Sequence, residues 1–229
     1  VKQYRKLLDG VGHRFNDEEL LTAALTHRSA GGKNNERLEF LGDAVLGLVI
    51  AEALYRRRER AREGELSRLR AMLVRRQTLA EIARELMLGD YLVLGSGEQK
   101  SGGFRRDSIL ADALEAVLGA IYQDAGFDRA RGCILRLFAS RLEALPEGEA
   151  GLKDPKTRLQ EVLQGRGHAL PAYVLERVTG EAHDQRFSVS CEVASLDLCT
   201  RGNGTSRQKA EQEAAGEMLN LLASEHGLR

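Results

Sequence analysis

Tryptophan is absent from the 229-residue chain, and proline occurs only three times. Few prolines leave helices uninterrupted, and the abundance of Ala, Leu, Arg and Glu predicts a mostly helical protein. No apolar run approaches the roughly 20 residues that a membrane-crossing helix needs. The N-terminus lacks the charged start and apolar block of a secretory leader. Cys133, Cys191 and Cys199 are odd in number and lack metal-ligand spacing, so reduced thiols in the cytoplasm are expected. Excess charge is also missing: 34 basic residues balance 34 acidic ones. The halves do not differ, with 24 basic and 23 acidic residues in 1–150 and 10 and 11 in 151–229. Any nucleic-acid binding must therefore come from local placement of charge.

Two grammars follow one another along the chain. Helical spacing recurs in Glu18–Leu25, Leu38–Tyr55, Leu66–Leu86, Ile109–Asp124 and Ala130–Leu145. Ser67 and Asp107 are candidate helix N-caps. Residues 147–154 are polar and read as a linker between domains 1–146 and 155–229. Beyond it, a helix at Lys156–Gln164 precedes strands at Tyr173–Val178, Gln185–Val193 and Leu196–Arg201. A helix at Thr205–Ser224 closes the chain. The expected fold is a mainly α N-terminal domain followed by a small α+β (α-β-β-β-α) domain.

The chemistry concentrates in Asn35-Glu36-Arg37-Leu38-Glu39-Phe40-Leu41-Gly42-Asp43. On a helix Glu36, Glu39 and Asp43 share one face. Leu38, Leu41, Val45 and Leu48 fall roughly opposite. A second acidic pair, Asp112 and Glu115, lies at i, i+3 among the small residues Ala111, Ala116, Gly119 and Ala120, which permit close helix approach. Side by side, two such helices gather Glu39, Asp43, Asp112 and Glu115. Four carboxylates in one pocket require a cation or raised pKa values, and hard oxygen ligands suit Mg²⁺ or Mn²⁺. Metals held this way can activate water against a phosphodiester without a protein nucleophile.

Asn35–Asp43 and Ala111-Asp112-Ala113-Leu114-Glu115-Ala116 resemble the two acidic motifs of the ribonuclease III family. Thr26-His27-Arg28-Ser29 and Gly102-Gly103-Phe104-Arg105-Arg106 are similar to further segments of it. The likeness is to the short bacterial form, an endonuclease domain followed by one double-stranded-RNA-binding domain. It implies a Mg²⁺-dependent endoribonuclease of double-stranded RNA that leaves 5′-phosphate and 3′-hydroxyl ends. It also implies a homodimer that acts on ribosomal RNA precursors and structured messengers. By the resemblance, Glu39, Asp43, Asp112 and Glu115 are the metal ligands, with Asp43 and Glu115 foremost in catalysis. Glu36 and Glu63 are accessory, and Glu65 stands close enough to Glu63 to compete for its role. His27 reads as a structural histidine at a helix end. The apolar side of the Leu38–Ile50 helix suits either the dimer interface or the monomer's own core.

In the C-terminal domain, Gly202 and Gly204 allow tight backbone approach before a helix whose N-terminal N–H groups favour phosphate. Ser206, Arg207 and Lys209 stand there and resemble the phosphate-clamping end of a double-stranded-RNA-binding domain. Gln208 occupies a place that is usually basic in the family, which predicts modest affinity and a shallow salt slope. Gln160 and His183 match positions that reach minor grooves in the family. Two rivals remain: a non-catalytic double-stranded-RNA binder built on a decayed nuclease, and a helical nucleotide phosphohydrolase. Retention of the four carboxylates opposes the first. The second gives no account of residues 155–229.

Overall fold

The computed structural model describes residues 4–146, 154–181 and 184–225. The chain divides into two compact units, Val1–Pro146 and Glu147–Arg229. The first is helical: α1 (Arg5–Val11), α2 (Glu18–Leu25), α3 (Glu36–Arg57), α4 (Glu63–Val74), α5 (Arg76–Glu85), α6 (Ser96–Lys100), α7 (Asp107–Leu137) and α8 (Ala139–Glu143).

Helix α7 is the axis of this unit. Between residues 109 and 121 every position is buried except Asp112 and Glu115. Helix α7 packs along α3, and Leu114, Val117, Leu118 and Ile121 of α7, like Leu46, Val49, Ile50 and Leu54 of α3, are each at most 1% exposed. The two helices meet through glycine. A Cβ on Gly42 would overlap the Glu115 carbonyl, and one on Gly119 would overlap the Leu38 carbonyl. Helix α7 bends at Gly126, whose φ of 78° suits glycine. Beside the bend, the Asp124 carboxylate accepts from His13 Nε2 at 2.8 Å and from the Asn16 and Asp17 backbones. This ties the α1–α2 connection to α7.

Several expected boundaries change. The span Leu66–Leu86 is two helices broken at Arg75, which has extended ψ of 150°. The apolar pattern reads straight through, because both helices face the same core. The Thr78 hydroxyl takes the Met72 carbonyl at 2.9 Å and so stabilises the break. Ser67 is not a cap: it lies within α4 and donates to Glu63 at 2.7 Å. Asp107 is the first residue of α7, after Arg106, and its carboxylate pairs with Arg84. Helix α3 also divides its expected apolar side. Val45 is buried with Leu46, Val49 and Ile50, while Leu48 is 58% exposed.

The second unit has α9 (Pro155–Gln164), β1 (Ala172–Thr179), β2 (Arg186–Val193), β3 (Leu198–Gly204) and α10 (Arg207–Glu225). The strands form an antiparallel sheet in the order β1-β2-β3. Asp154 caps α9, accepting from the Lys156 N–H at 2.8 Å. Leu159, Leu163, Cys191, Val193, Ala214, Ala215, Met218 and Leu222 form the core. The third strand starts two residues later than expected, because Ala194–Leu196 is a 3-10 turn and Asp197 has φ of 54°. Cys133 and Cys191 are buried free thiols, and Cys199 is exposed and free. No described helix is long and apolar enough to cross a membrane.

Candidate active site

The start of α3 is fixed from outside the helix. The Asn35 N–H donates to Thr26 at 2.9 Å, and its carbonyl accepts from Glu39 at 2.8 Å. Thr26 bridges Val93, and the His27 N–H bonds the Val93 carbonyl at 2.9 Å. His27 begins a 3-10 turn, its Nδ1 accepting from the Ser29 N–H at 3.2 Å. This histidine is a capping group, as its place in the sequence suggested.

From that anchored start, Glu36, Glu39 and Asp43 face Asp112 and Glu115 of α7. The five carboxylates line one cleft of about 420 Å³ with Phe40, Val74, Arg76 and Leu79. One carboxylate oxygen from each of Glu39, Asp112 and Glu115 lies within 4.8 Å of the others. Asp43 lines the same cleft, from an exposed position outside that tight group. The glycine crossing sets this arrangement. Gly42 lies one turn beyond Glu39 and Gly119 one turn beyond Glu115, so closest backbone approach brings the carboxylates together.

The electrostatics follow from crowding in a half-buried place. Glu115 is pushed up to about 8, first by burial and then by Asp43, Glu39 and Asp112. Burial likewise raises Glu39, helped by Asp112 and Glu36, and raises Asp112. Arg76, at the start of α5, opposes these shifts at Asp112 and Glu115. Among the described residues it is the only basic one that lines the cleft. The all-oxygen, half-buried, charge-frustrated donor set fits a divalent cation.

Glu63 and Glu65 stand apart. Neither lines this cleft or the larger one beside it. Glu63 is exposed at the first turn of α4, and Glu65 is 9% exposed. Sequence reasoning passed over Arg76, which carries no local signature beyond one more arginine in an arginine-rich run. It also assigned no role to Asn35, Arg28, Glu98 or Arg106. These line the second cleft, of about 790 Å³.

In the second unit, Ser206, Arg207 and Lys209 gather at the start of α10. The Ser206 hydroxyl accepts from the Lys209 N–H at 3.2 Å. Arg207 is held by Glu211 at 2.9 Å, and Glu211 also takes Lys156 at 2.5 Å. Lys209 and Gln208 are exposed, and Gln160 is half-buried on α9. Gly202 and Gly204 of β3 press against the backbone of Ala210, so this helix start sits close on the sheet. His183 lies outside the described residues.

Residues 17–142 match the ribonuclease-III-like family, and residues 155–222 match the double-stranded RNA binding motif. Ribonuclease 3 of Vibrio cholerae is 58% identical over 219 residues, covering 96% of this chain and 97% of that protein. Ribonuclease 3 of Photobacterium profundum is 59% identical over 214 residues, covering 93% and 95%. A crystal structure of the nuclease domain of ribonuclease III from Campylobacter jejuni aligns with a TM-score of 0.60 and 45% identity. It covers 64% of this chain and all of that one. A second structure of that domain, at TM-score 0.59 and 47% identity over 60% of this chain and 96% of that one, is described for flexibility in a region involved in dimer formation. Carboxylate-lined helical nuclease unit and αβββα unit together define an endoribonuclease with an attached RNA-binding domain. The chain belongs to the ribonuclease III family.

Proposed function

We propose that the chain is a Mg²⁺-dependent endoribonuclease that hydrolyses double-stranded RNA to 5′-phosphate and 3′-hydroxyl ends. The observation that carries this reading is the meeting of Glu39, Asp112 and Glu115 oxygens within 4.8 Å in an open cleft. Glu39, Asp112 and Glu115 would hold the cation, with Asp43 completing the set from the cleft wall. Mg²⁺, or Mn²⁺ in its place, supplies Lewis-acid stabilisation of the phosphodiester and lowers the pKa of an attacking water. The chain's own residues prepare that chemistry. Glu115 keeps its proton near neutral pH while the carboxylates stand alone, and it yields that proton when opposing charge arrives. Arg76 offsets the carboxylates' repulsion of an incoming phosphate backbone. Incubation of long duplex RNA with the protein and Mg²⁺, followed by analysis of product ends, tests the reading. Persistent binding without cutting would refute it. Ribosomal RNA precursors and structured messengers in the cytoplasm are the proposed substrates.

The second unit supplies affinity for the duplex. Arg207 is neutralised in part by Glu211, and Gln208 adds no charge, so phosphate contacts are few and the salt slope is shallow. Deletion of residues 147–229 is expected to weaken duplex binding at least tenfold in filter-binding assays and to make cleavage more salt-sensitive. Unchanged binding would remove the second unit from the mechanism.

The proposed homodimer uses α3. Phe40, Leu48 and Tyr55 are 81%, 58% and 72% exposed, and helical spacing sets them on one stripe. A contiguous apolar stripe of this kind marks a partner surface. Leu48→Asp is expected to halve the mass measured by sedimentation. A variant that sediments like the parent would exclude this face.

A further inference from the structure

Asn35 opens the nine-residue acidic segment, yet the proposed metal set makes no use of it. Its side chain is buried, with the residue 2% exposed, and its amide nitrogen has no hydrogen-bond partner among the described residues. Desolvation of such a donor goes uncompensated until something binds it. The residue is also held still, since its backbone N–H and carbonyl are both engaged. Asn35 lines the cleft of about 790 Å³, which adjoins the carboxylate cleft and shares Glu36, Glu39 and Asp112 with it. That space far exceeds the ~30 Å³ share of one water.

The lining decides what chemistry fits. Arg28 faces Glu36 at 3.7 Å, Arg106 is bound to Glu98 at 3.0 Å, and His27 Nδ1 is taken by Ser29. With both arginines turned to carboxylates, an entering anion would have to displace one. A hydroxyl group meets no such opposition, because it accepts from Asn35 Nδ2 and donates to a carboxylate oxygen. Along an RNA strand, the group bonded to either side of a phosphate is a ribose. A phosphate at Glu39, Asp112 and Glu115 therefore carries a ribose toward whichever space adjoins it. The 2′-hydroxyl is both donor and acceptor, and it is the group that tells RNA from DNA.

We infer that this second cleft seats a ribose flanking the scissile phosphate, with the Asn35 amide donating to its 2′-hydroxyl. Asn35 is then a determinant of RNA-over-DNA selectivity at the cut. The inference rests on the proposed placement of the scissile phosphate at the carboxylates.

The test uses the full chain with Mg²⁺ and end-labelled RNA duplexes that carry a single 2′-deoxynucleotide at each position around a mapped cut. One flanking position is expected to lower kcat/KM about tenfold, the scale of one well-placed hydrogen bond. Asn35→Ala should lose a similar factor on the all-ribose duplex and lose nothing more on the sensitive deoxy duplex. Asn35→Leu keeps the volume while removing the orphan donor, so it should melt no lower than the parent and show the same non-additive loss. Additive losses would overturn the assignment and leave Asn35 bound to water. A parent protein that cuts every flanking deoxy duplex normally would overturn it without any variant. A parent that binds the all-ribose duplex but leaves it uncut would instead refute the nuclease reading, and the inference would fall with it.

Discussion

Glu115→Gln is expected to lower cleavage of duplex RNA by at least about 10³-fold while leaving duplex binding within twofold. The substitution removes a ligand charge and keeps the side chain's shape. Losses of that order follow when one group of a pre-organised charge-stabilising site is removed. The RNA-binding unit is untouched, so binding in Mg²⁺ is retained. Near-normal turnover would remove Glu115 from the mechanism. The same variant has a second signature that needs no substrate. Without metal, folded Glu115 holds its proton up to about pH 8, whereas the unfolded side chain releases it near the ordinary glutamate value of 4.5. Between those values the native state binds more protons than the unfolded one. Stability of the metal-free protein therefore falls as pH rises from about 4.5 to 8, then levels. Glutamine has no proton to lose. The metal-free variant should thus melt higher than the parent above pH 8, by roughly 2–4 °C for each kcal/mol recovered. Added Mg²⁺ should raise the parent's melting temperature by mass action and raise the variant's far less. Superimposable melting curves at pH 8.5 would show that the carboxylates are not in repulsive contact.

Gly119→Ala is expected to destabilise the nuclease unit by about 3 kcal/mol or more, the upper range for inserting a methyl group into a packed interior. The added Cβ would collide with the Leu38 carbonyl, which is backbone and cannot turn aside. To admit it, α3 and α7 must separate, and Glu39 then moves away from Asp112 and Glu115. Cleavage should fall with stability, while the second unit still binds duplex. Gly132→Ala on the same helix is the control, because a Cβ there meets nothing within 4 Å. It is expected to stabilise by about 0.5–1 kcal/mol through the ordinary helical preference for alanine. Equal effects at the two positions in urea melts would show that the crossing is not set by contact at Gly119.

Local pattern carried much of this molecule. The period of α2 was legible because that helix buries one face, and the alternation of β2 was legible because Val189, Cys191 and Val193 are all buried, although Ser190 between them is buried too. The αβββα order followed from turns between short runs. The acidic faces of α3 and α7 were legible because i, i+3 and i, i+7 spacing holds on any helix. Breaks without glycine or proline were not legible. Arg75 interrupts two helices that share one apolar register, so the pattern runs on while the backbone turns. The sides of α3 were half legible. Val45 and Leu48 look alike in sequence, yet one is buried and the other is left to solvent.

The site divides along the same line. Sequence by itself determined which carboxylates exist, which of them share a helical face, and which small residues let helices approach. Only the tertiary structure decided that Glu39, Asp112 and Glu115 meet within 4.8 Å while Asp43 stands at the edge and Glu63 outside. It also placed Arg76 among the carboxylates and left the Asn35 amide nitrogen, among the described residues, without a partner beside a second cleft. The reason is physical: spacing along a helix fixes direction, but distances between helices depend on how closely two backbones pack. Here that closeness is set by two glycines, Gly42 and Gly119, which meet only after the chain has folded.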